Sequence, residues 1–345
     1  MAAKVRVGVA GLVHDHIWGL LKQFQELDNV ELVAAADFNQ PLLDNISKEF
    51  GVTKHYRDIA EMIDKENLQA MVCGRENSGH AEVALLCAEH GVHFMVEKPM
   101  SARLPDADRM LAAQQQSGIV MFINYPTSWS PALNLAHRLV QDGRIGTVYQ
   151  LRMHCAHGGP KEVGCTEYFW SWLYDAERNG AGALMDYCCY GANINRWFLG
   201  QPQSVMGLAG RLIKDYLAPD VDDNAILMLR YPHAISLCEA SWTQIGDIPY
   251  GFIINGSAGT ISPRKRGLLL TTGEPGKPAK EETLEAPPLP PDRCNGPAYF
   301  VNCILREQQP EGPSSAQVCR DAQEILEAGI LSAERGEEIR LPLES

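Results

Sequence analysis

Short apolar runs rich in β-branched residues alternate with helix-patterned segments through the first 124 residues. Runs of this kind, bounded by turn residues, predict strands that are buried on both faces, and they lie at 5–11, 30–36, 70–73, 92–96 and 119–123. The segments between them carry apolar residues at helical spacing on one face, as in 80–90 and 106–117. We therefore predict βαβ units and a doubly wound parallel sheet over residues 1–124.

The pattern changes after about residue 146, where strand-like alternation dominates at 148–154, 225–231, 234–242 and 250–255. Helical spacing is found at 182–199, 297–307 and 315–335. The second part, 125–345, is thus predicted to be an α/β domain with a large, mostly antiparallel open sheet. Segment 274–297 is rich in Pro, Glu and Lys and predicts an exposed loop or hairpin, and the basic run 264–266 predicts a solvated loop.

Composition narrows the class of protein. The chain has 345 residues, 45% of them hydrophobic, which suits two globular domains. A net charge of −13 argues against a nucleic-acid partner, because such a partner requires a basic face. The ten cysteines show no paired C-x-x-C spacing and the N-terminus lacks the apolar core of a signal peptide, so we expect reduced thiols in the cytoplasm. No apolar stretch approaches the roughly 20 residues of a membrane span, so no membrane partner is expected.

Lys98 is the first candidate for chemistry. It follows the apolar run 92–96 in the tripeptide Glu97-Lys98-Pro99. The carboxyl end of a strand in an open α/β sheet opens into the crevice where ligands bind, and the proline holds the turn. The alternative is an ordinary solvated turn at the end of a strand.

A dinucleotide site is the second candidate. Gly11 ends the first strand and Asp37 follows the second, where a glycine permits a tight turn and a carboxylate binds ribose hydroxyls. The usual G-x-G-x-x-G is altered, because Val13 and His16 stand at the second and third glycine positions. A parallel sheet without such a ligand is the competing interpretation. If Asp37 does bind ribose, its charge favours NAD over NADP.

His14, Asp15 and His16 also suggest a metal site, since histidine and carboxylate are common ligands. We predict none here, because neighbouring side chains diverge and no clear further ligand accompanies them. The ordinary interpretation is a helix start, with Asp15 near the positive end of the helix dipole.

A second catalytic constellation lies at 180–193, where a glycine-rich entry leads into a predicted helix. Asp186, Tyr190 and Asn193 fall at i, i+4 and i+7, and therefore on one face. This polar stripe on an otherwise apolar helix either lines a cleft or is satisfied by ordinary capping and hydrogen bonds.

Taken together, these motifs resemble the glucose-fructose oxidoreductase and inositol dehydrogenase family, often called Gfo/Idh/MocA. The likeness runs almost end to end and includes, in order, Gly11, Asp37, Asn77-Ser78-Gly79-His80-Ala81-Glu82, Glu97-Lys98-Pro99, 142–146, 182–193, 221–225, 254–260 and 332–336. The resemblance implies an N-terminal Rossmann domain that binds NAD, with NADP an alternative. It also implies a C-terminal domain that binds substrate and forms a homo-oligomer through its sheet.

The resemblance also implies roles for single residues. It implies cofactor contacts from Gly11, Leu12, Val13, His14, Asp37, Asn77, His80, Glu97 and Lys98. Lys98, Tyr190 and Asp186 are implied to be catalytic, with Tyr190 in the place where many members have a histidine. Substrate contacts are expected from Lys98, Asn193, His157 and Trp172. Because an ammonium favours the ionised phenol, we predict that Lys98 lowers the pKa of Tyr190 and makes it the proton-transfer group.

The predicted function is hydride transfer between a nicotinamide cofactor and a sugar, cyclitol or related polyol. The altered glycine loop leaves open a regulatory protein that binds nucleotide or sugar without turnover. A third option is an NAD-dependent glycosidase or lyase, although its second motif is expected to be richer in histidine than 186–190. Fold alone does not choose among them.

Overall fold

The computed structural model describes residues 4–247 and 251–344, and its first part is a six-stranded sheet flanked by helices. The strands are β1 Val5–Ala10, β2 Val30–Ala36, β3 His55–Tyr56, β4 Ala70–Cys73, β5 His93–Glu97 and β6 Met121–Asn124. The helices are α1 His16–Gln25, α2 Gln40–Phe50, α3 Ile59–Glu66, α4 His80–Glu89 and α5 Leu104–Ser117. The strand order is β3-β2-β1-β4-β5-β6 and every pairing is parallel. This confirms the predicted doubly wound sheet, whose order reverses at β1 and β4.

The second part contains a nine-stranded sheet. Its strands are β7 Val148–Ala156, β8 Ser204–Gly210, β9 Asn224–Arg230, β10 Ile235–Ser241, β11 Phe252–Gly256, β12 Gly259–Arg264, β13 Gly267–Thr272, β14 Lys280–Glu285 and β15 Ile339–Arg340. The order is β14-β13-β12-β11-β7-β10-β9-β8-β15, and β7 with β10 is its parallel pair. The predicted mostly antiparallel sheet is confirmed. Its strand predicted at 250–255 begins at Phe252, and Tyr250 lies outside the described residues.

The second part of the chain also contains helices α6 Pro131–Gln141, α7 Glu167–Leu173, α8 Ala176–Asn179, α9 Cys189–Leu199, α10 Gly296–Leu305 and α11 Ala316–Arg335. Of these, α9 and α11 pack against one face of the second sheet. Strand β9 shows the two faces: Ala225, Leu227 and Leu229 are buried, whereas Ile226 and Met228 are exposed. The period of two in this strand therefore separates a packed face from an open one. The sequence reasoning missed α6, α7 and α8. Helix α7 is rich in aromatic residues and α8 has only four residues, whereas neither reason applies to α6.

Helix α10 returns to the first sheet. Its residues Tyr299 and Phe300 pack their rings against Phe122 of β6, with centroid distances of 5.8 and 5.7 Å. The C-terminal part of the chain thus contributes to the core of the N-terminal sheet. A division into 1–124 and 125–345 stays a prediction, and it does not describe the position of this helix.

The predicted helix at 182–199 is interrupted. Residues Leu184–Cys188 form a π-helical turn that leads directly into α9. Elsewhere, segment 274–297 contains the edge strand β14, and Lys265 and Arg266 form the exposed turn between β12 and β13. No helix in the described ranges is both long and apolar enough to cross a bilayer.

Candidate active site

A buried ion pair lies where the two parts of the chain meet. Lys98 follows the last residue of β5, and its side chain is 3% exposed. The Lys98 Nζ lies 2.5 Å from Asp186 Oδ1 and donates to the Asp186 carbonyl oxygen at 3.1 Å. The second carboxylate oxygen of Asp186 accepts from Trp242 Nε1 at 3.0 Å. The strand end and the second motif therefore meet, and both charges have partners.

The π turn presents Asp186 to the lysine. In a π-helix the backbone ladder runs from i to i+5, and such turns are frequent at functional sites. The Asp186 carbonyl accepts from the Lys98 ammonium and, at 3.0 Å, from the Cys189 thiol. A sequence pattern counted at 3.6 residues per turn does not reveal this geometry.

Asp222 caps the catalytic turn. Its carboxylate accepts from the backbone N–H of Gly182 at 2.8 Å and of Leu184 at 2.7 Å. Burial raises the pKa of Asp222 to about 6, although these two hydrogen bonds oppose the shift. A Cβ on Gly182 would lie 1.9 Å from the Asp222 carbonyl oxygen, which explains the glycine at this entry. The sequence reasoning did not give Asp222 a role.

The Lys98 and Asp186 side chains hold each other in the charged form. Burial acts against the charge on each of them. The attraction between them outweighs burial, so the pKa of Asp186 is lowered and the pKa of Lys98 is raised well above its usual value. The pair is therefore ionised at neutral pH.

Tyr190 differs from the sequence prediction. Its ring centroid lies 4.9 Å from Lys98 Nζ, so the ammonium is beside the ring as expected. Burial nevertheless raises the pKa of Tyr190 well above its usual value, and the charge on Lys98 only partly opposes that shift. The prediction of a lowered pKa was wrong because it counted the ammonium and neglected desolvation. Tyr190 is a neutral phenol at neutral pH.

The predicted substrate residues separate into two groups. His157 is half-buried, and its ring lies 4.9 Å from that of Tyr187, which is itself 5.9 Å from Lys98 Nζ. Asn193 is fully buried and donates to the Pro313 carbonyl at 2.9 Å. This hydrogen bond occupies its amide nitrogen, while its Oδ1 is buried without a partner in the described part of the chain, so the expected substrate contact of Asn193 stays a prediction.

Trp172 also packs. It is 1% exposed, and its ring lies 5.2 Å from Phe169 and 5.6 Å from His14. The ring fills the seam between the two parts of the chain, and its expected substrate contact stays a prediction.

The altered glycine loop still has a dinucleotide-binding shape. Gly11 has a φ of +81°, and a Cβ there would lie 2.4 Å from Arg75 Cγ. The Leu12 N–H donates to Asp37 at 2.7 Å, and the His14 N–H donates to the Gly74 carbonyl at 3.0 Å. Within the described ranges, the N–H groups of loop residues 13 and 15, one before and one after His14, donate to no protein group. Free N–H groups before a helix are what a pyrophosphate requires.

A cavity of about 720 Å³ adjoins this loop, and Gly11, Val13 and Asp37 line it. The second oxygen of Asp37 accepts from the N–H and the amide of Asn39 at 2.6 and 2.8 Å, so this carboxylate also organises the loop. Arg75 lines the same cavity and is held by Glu82 at 2.6 Å. The sequence reasoning missed Arg75, because only the fold brings it to Gly11.

Three further expected cofactor residues have protein partners. Glu97 is 1% exposed and accepts from Asn124 Nδ2 at 2.5 Å and contacts His16 Nδ1 at 3.2 Å. His80 is fully buried, with both ring nitrogens 3.3 Å from main-chain carbonyls. These contacts hold His80 between the main chains of Arg75 and Met100, and its expected cofactor contact stays a prediction. The amide of Asn77 donates to Asn179, but its Oδ1 is buried without a partner in the described part of the chain.

His14, His16 and Glu97 lie together, with one possible ligand atom of each within 4.8 Å of the others. The expectation that no third group accompanies the histidines was therefore wrong. Their contacts are accounted for without an ion, since the His16 N–H donates to His14 Nδ1 at 3.2 Å and the His16 ring pairs with Glu97. Asp15 beside them accepts from the Thr166 N–H at 2.8 Å and from its hydroxyl at 2.5 Å. This contact fastens the loop to the start of α7.

A doubly wound sheet with a dinucleotide loop, beside an open sheet with a buried lysine–aspartate pair, is the architecture of two-domain oxidoreductases. The family models agree with this class. Residues 5–125 match "Oxidoreductase family, NAD-binding Rossmann fold" and residues 133–262 match "GFO/IDH/MocA C-terminal domain". The chain belongs to the GFO/IDH/MocA family, which confirms the resemblance and the predicted NAD-binding Rossmann domain.

Individual relatives are more distant. The chain is 25% identical over 236 residues to myo-inositol 2-dehydrogenase of Thermotoga maritima, a match covering 66% of this chain and 65% of that protein. It is 25% identical to levoglucosan dehydrogenase of Pseudarthrobacter phenanthrenivorans, over 66% and 63% of the two chains. The chain thus spans a little under two thirds of the length of these relatives.

Solved structures share the whole fold. A levoglucosan dehydrogenase in complex with NADH and levoglucosan matches with a TM-score of 0.83 at 21% identity, over 99% of this chain and 100% of that one. The WlbA dehydrogenase from Bordetella pertussis, in complex with NADH and UDP-GlcNAcA, matches with a TM-score of 0.81 at 22% identity, over 100% and 99%.

Proposed function

We propose that the protein is an NAD-dependent oxidoreductase that transfers a hydride between the nicotinamide and a hydroxyl or carbonyl group of a sugar, cyclitol or related polyol. The observation that carries this proposal is the buried pair of Lys98 and Asp186, with the Tyr190 ring beside it, at the carboxyl edge of the nucleotide-binding sheet. The names of the myo-inositol and levoglucosan relatives support the substrate class.

The residues of the loop fit the cofactor. The N–H groups of Val13 and Asp15 suit the pyrophosphate, and the carboxylate of Asp37 suits the ribose hydroxyls. The unpartnered Oδ1 of Asn77 suits an amide donor. When bound, the nicotinamide supplies the hydride acceptor or donor. Asp37 disfavours the 2′-phosphate of NADP. The Arg57 guanidinium at the cavity edge donates to a main-chain carbonyl and to the Gln40 amide, and in the described part of the chain it pairs with no carboxylate. Its charge is therefore available for a phosphate, and NADP remains the alternative.

The protein's own groups handle the proton. In carbonyl reduction, the Lys98 ammonium stabilises charge that develops on the substrate oxygen, and the Tyr190 phenol donates the proton. In alcohol oxidation the same phenol must first be ionised, which its raised pKa disfavours. Asp186 remains a carboxylate and is a positioning residue for Lys98. Before substrate binds, Tyr190 therefore already holds the proton that carbonyl reduction requires.

His157 is proposed to bind substrate as a donor. Its Nδ1 accepts from the Gly159 N–H at 2.9 Å, which leaves the proton of the neutral ring on Nε2. Burial lowers the pKa of His157, so the neutral form prevails near pH 7. A neutral imidazole with this tautomer suits a substrate hydroxyl or carbonyl oxygen.

The proposal extends to assembly and location. The open face of the second sheet exposes Leu208, Ile226, Met228 and Ile235, at 69, 45, 43 and 52%. An apolar face of this kind suits a second copy of the chain, so a homo-oligomer through this sheet is proposed. All ten cysteines are free thiols, which supports a reducing compartment such as the cytoplasm.

The test begins with titration of the purified protein with NADH and NADPH, followed by nicotinamide fluorescence. Saturable binding that favours NADH is expected. Turnover of a panel of sugars and cyclitols with NAD⁺ is then compared between the wild type and Lys98→Met. A folded protein that binds neither nucleotide would shift the assignment to the regulatory alternative.

A further inference from the structure

A ladder of aromatic rings connects the catalytic pair with the protein surface. Trp242, which donates to Asp186, has its ring centroid 5.6 Å from that of Tyr174. The Tyr174 ring lies 5.8 Å from Trp170 and 5.9 Å from Tyr216. Trp242 is fully buried, whereas Tyr216 is 52% exposed. The ladder thus forms an aromatic wall that runs from the catalytic pair to the surface, and aromatic side chains of this kind are typical of small-molecule sites.

Lys161 lies over the outer end of this ladder. Its Nζ is 5.2 Å from the Trp170 ring centroid and 5.8 Å from that of Tyr216. Its backbone N–H donates to the Tyr174 hydroxyl at 3.2 Å, so the residue is attached to the wall at two points. In the described part of the chain its ammonium pairs with no carboxylate and contacts these two aromatic rings instead.

The carboxylate next to it is already neutralised. Glu162 lies 2.5 Å from the Nζ of Lys214 and accepts from the Tyr216 hydroxyl at 2.5 Å. The Lys214 side chain is only 7% exposed, so this pair is held in place. Because Glu162 pairs with Lys214, it does not neutralise the positive charge of Lys161.

The loop that carries Lys161 has a fixed shape. Gly159 has a φ of +118°, and a Cβ there would lie 2.7 Å from both Cε and Nζ of Lys214. The backbone of Lys214 is in turn held by Asp223, which accepts its N–H at 2.7 Å. The loop thus packs directly on a buried lysine that is itself held in place. A ligand therefore binds with little cost for ordering this loop.

The same loop begins beside the catalytic centre. The His157 ring lies 4.9 Å from that of Tyr187, which is 5.9 Å from Lys98 Nζ, and the His157 Nδ1 accepts from the Gly159 N–H at 2.9 Å. The loop from His157 to Lys161 therefore runs from the catalytic centre to the outer end of the ladder.

We infer that Lys161 forms an anion subsite and that the substrate is a sugar acid, in which a carboxylate accompanies the hydroxyl that reacts. This inference rests on the proposed function and names its substrate class. The carboxylate binds the unpaired ammonium, while the carbon skeleton lies along the aromatic wall. Lys161 is exposed, and a charge-assisted hydrogen bond is stronger than one between neutral groups. The net charge of the protein otherwise repels acids, so this local cation provides the selectivity.

The experiment measures binding of D-glucuronate and of D-glucose to the protein saturated with NADH, by calorimetry. These two sugars differ only at C6, where a carboxylate replaces a hydroxymethyl group. Wild-type protein is expected to bind glucuronate about tenfold more tightly. Lys161→Gln abolishes that preference, whereas Lys161→Arg retains it. Lys48→Gln, which removes an exposed lysine from α2, is the matched control and retains the preference.

The outcomes separate the two proposals. Failure of NADH to bind overturns the proposed oxidoreductase. Normal NADH binding with equal or absent binding of the two sugars overturns the acid subsite alone. A preference that survives in Lys161→Gln would also overturn it, because the carboxylate would then bind elsewhere.

Discussion

The catalytic pair and the glycine loop lie at the same edge of one sheet, yet they differ in whether their polar groups have protein partners. Every polar atom of the Lys98 and Asp186 pair that carries charge has a protein partner. The loop instead leaves the N–H groups of Val13 and Asp15 without one in the described ranges. A buried charge must be satisfied for the protein to fold, whereas a binding loop keeps donors for its ligand. The difference separates a preorganised catalytic group from a receptive binding site.

The largest expected effect comes from breaking the ion pair. Asp186→Asn keeps the acceptor for Trp242 but leaves the Lys98 ammonium buried without a counter-charge. We expect a loss of about 3–5 kcal/mol in the free energy of unfolding, measured by urea denaturation. The double variant Lys98→Met with Asp186→Asn removes the orphan charge and should recover most of that loss while remaining inactive. Equal stabilities of the single and double variants would show that the pair does not behave as a buried unit.

The loop is tested next by Gly11→Ala. The left-handed backbone costs about 1–2 kcal/mol for an alanine, and the new Cβ also meets Arg75 at 2.4 Å. Gly51→Ala is the matched control, because Gly51 has a φ of +73° but nothing within 4 Å of its Cβ. Urea unfolding of both variants separates the cost of the left-handed backbone, which they share, from the cost of the contact with Arg75, which only Gly11→Ala has. NADH titration of both variants then measures the effect on cofactor binding. We expect weakened NADH binding only in Gly11→Ala, and equal binding by the two variants would argue against contact between this loop and the cofactor.

The pH dependence of the unfolding free energy tests whether Lys98 and Asp186 are both ionised in the folded protein. The carboxyl of Asp186 has a pKa below its usual 3.8, so its contribution is present above that value and is lost as pH falls through the lowered one. Lys98 has a pKa above its usual 10.5, so its contribution is complete below that value and is lost as pH rises through the raised one. The difference in unfolding free energy between wild type and the double variant should be flat from about pH 5 to about pH 10. A slope near neutral pH would contradict the ionised pair.

The rate of carbonyl reduction gives a parallel test of Tyr190. With its pKa raised, the phenol keeps its proton through neutral and mildly alkaline pH. We expect the rate limited by proton donation to be flat there in wild type and reduced by about 10²–10⁴ in Tyr190→Phe. A fall in rate near neutral pH that Tyr190→Phe removes would restore the lowered pKa predicted from the sequence.

The smallest effect on activity is expected at the open sheet face. Met228→Glu places a charge in the proposed subunit interface and should shift the protein toward monomer in sedimentation velocity. Because Met228 is 43% exposed, the stability of the monomer itself should change by no more than about 0.5 kcal/mol. Leu305→Glu on α10, where Leu305 is 56% exposed, is the control and should leave the assembly unchanged. An unchanged assembly in Met228→Glu would remove this face as the interface.

Much of the architecture followed from the sequence, because local periodicity reports which faces are buried. The parallel sheet, the strand that ends at Lys98 and the open second sheet were all predicted from apolar spacing. Lys98 and Asp186 were both expected to be catalytic residues, and the structure brings them together. The π turn was missed, since a single inserted residue per turn leaves no mark on a 3.6-residue pattern.

Other features depended on tertiary contacts. Arg75 reaches Gly11, and Glu97 reaches His16, only after the sheet has assembled. The direction of the Tyr190 pKa depended on how completely the ring is buried, which no spacing reveals. Asn193 has the right position on its helix for a cleft residue, yet the chain at Pro313 packs over it.

The most direct test of the central claim is NADH formation from NAD⁺ and a panel of polyols and sugar acids, compared between wild type and Lys98→Met. The account predicts measurable turnover of at least one compound and a fall of about 10²–10⁴ in the variant, with NADH binding by both proteins. Equal turnover by the two proteins would contradict the assigned role of the buried lysine. Absence of nucleotide binding by the folded wild type would contradict the account as a whole.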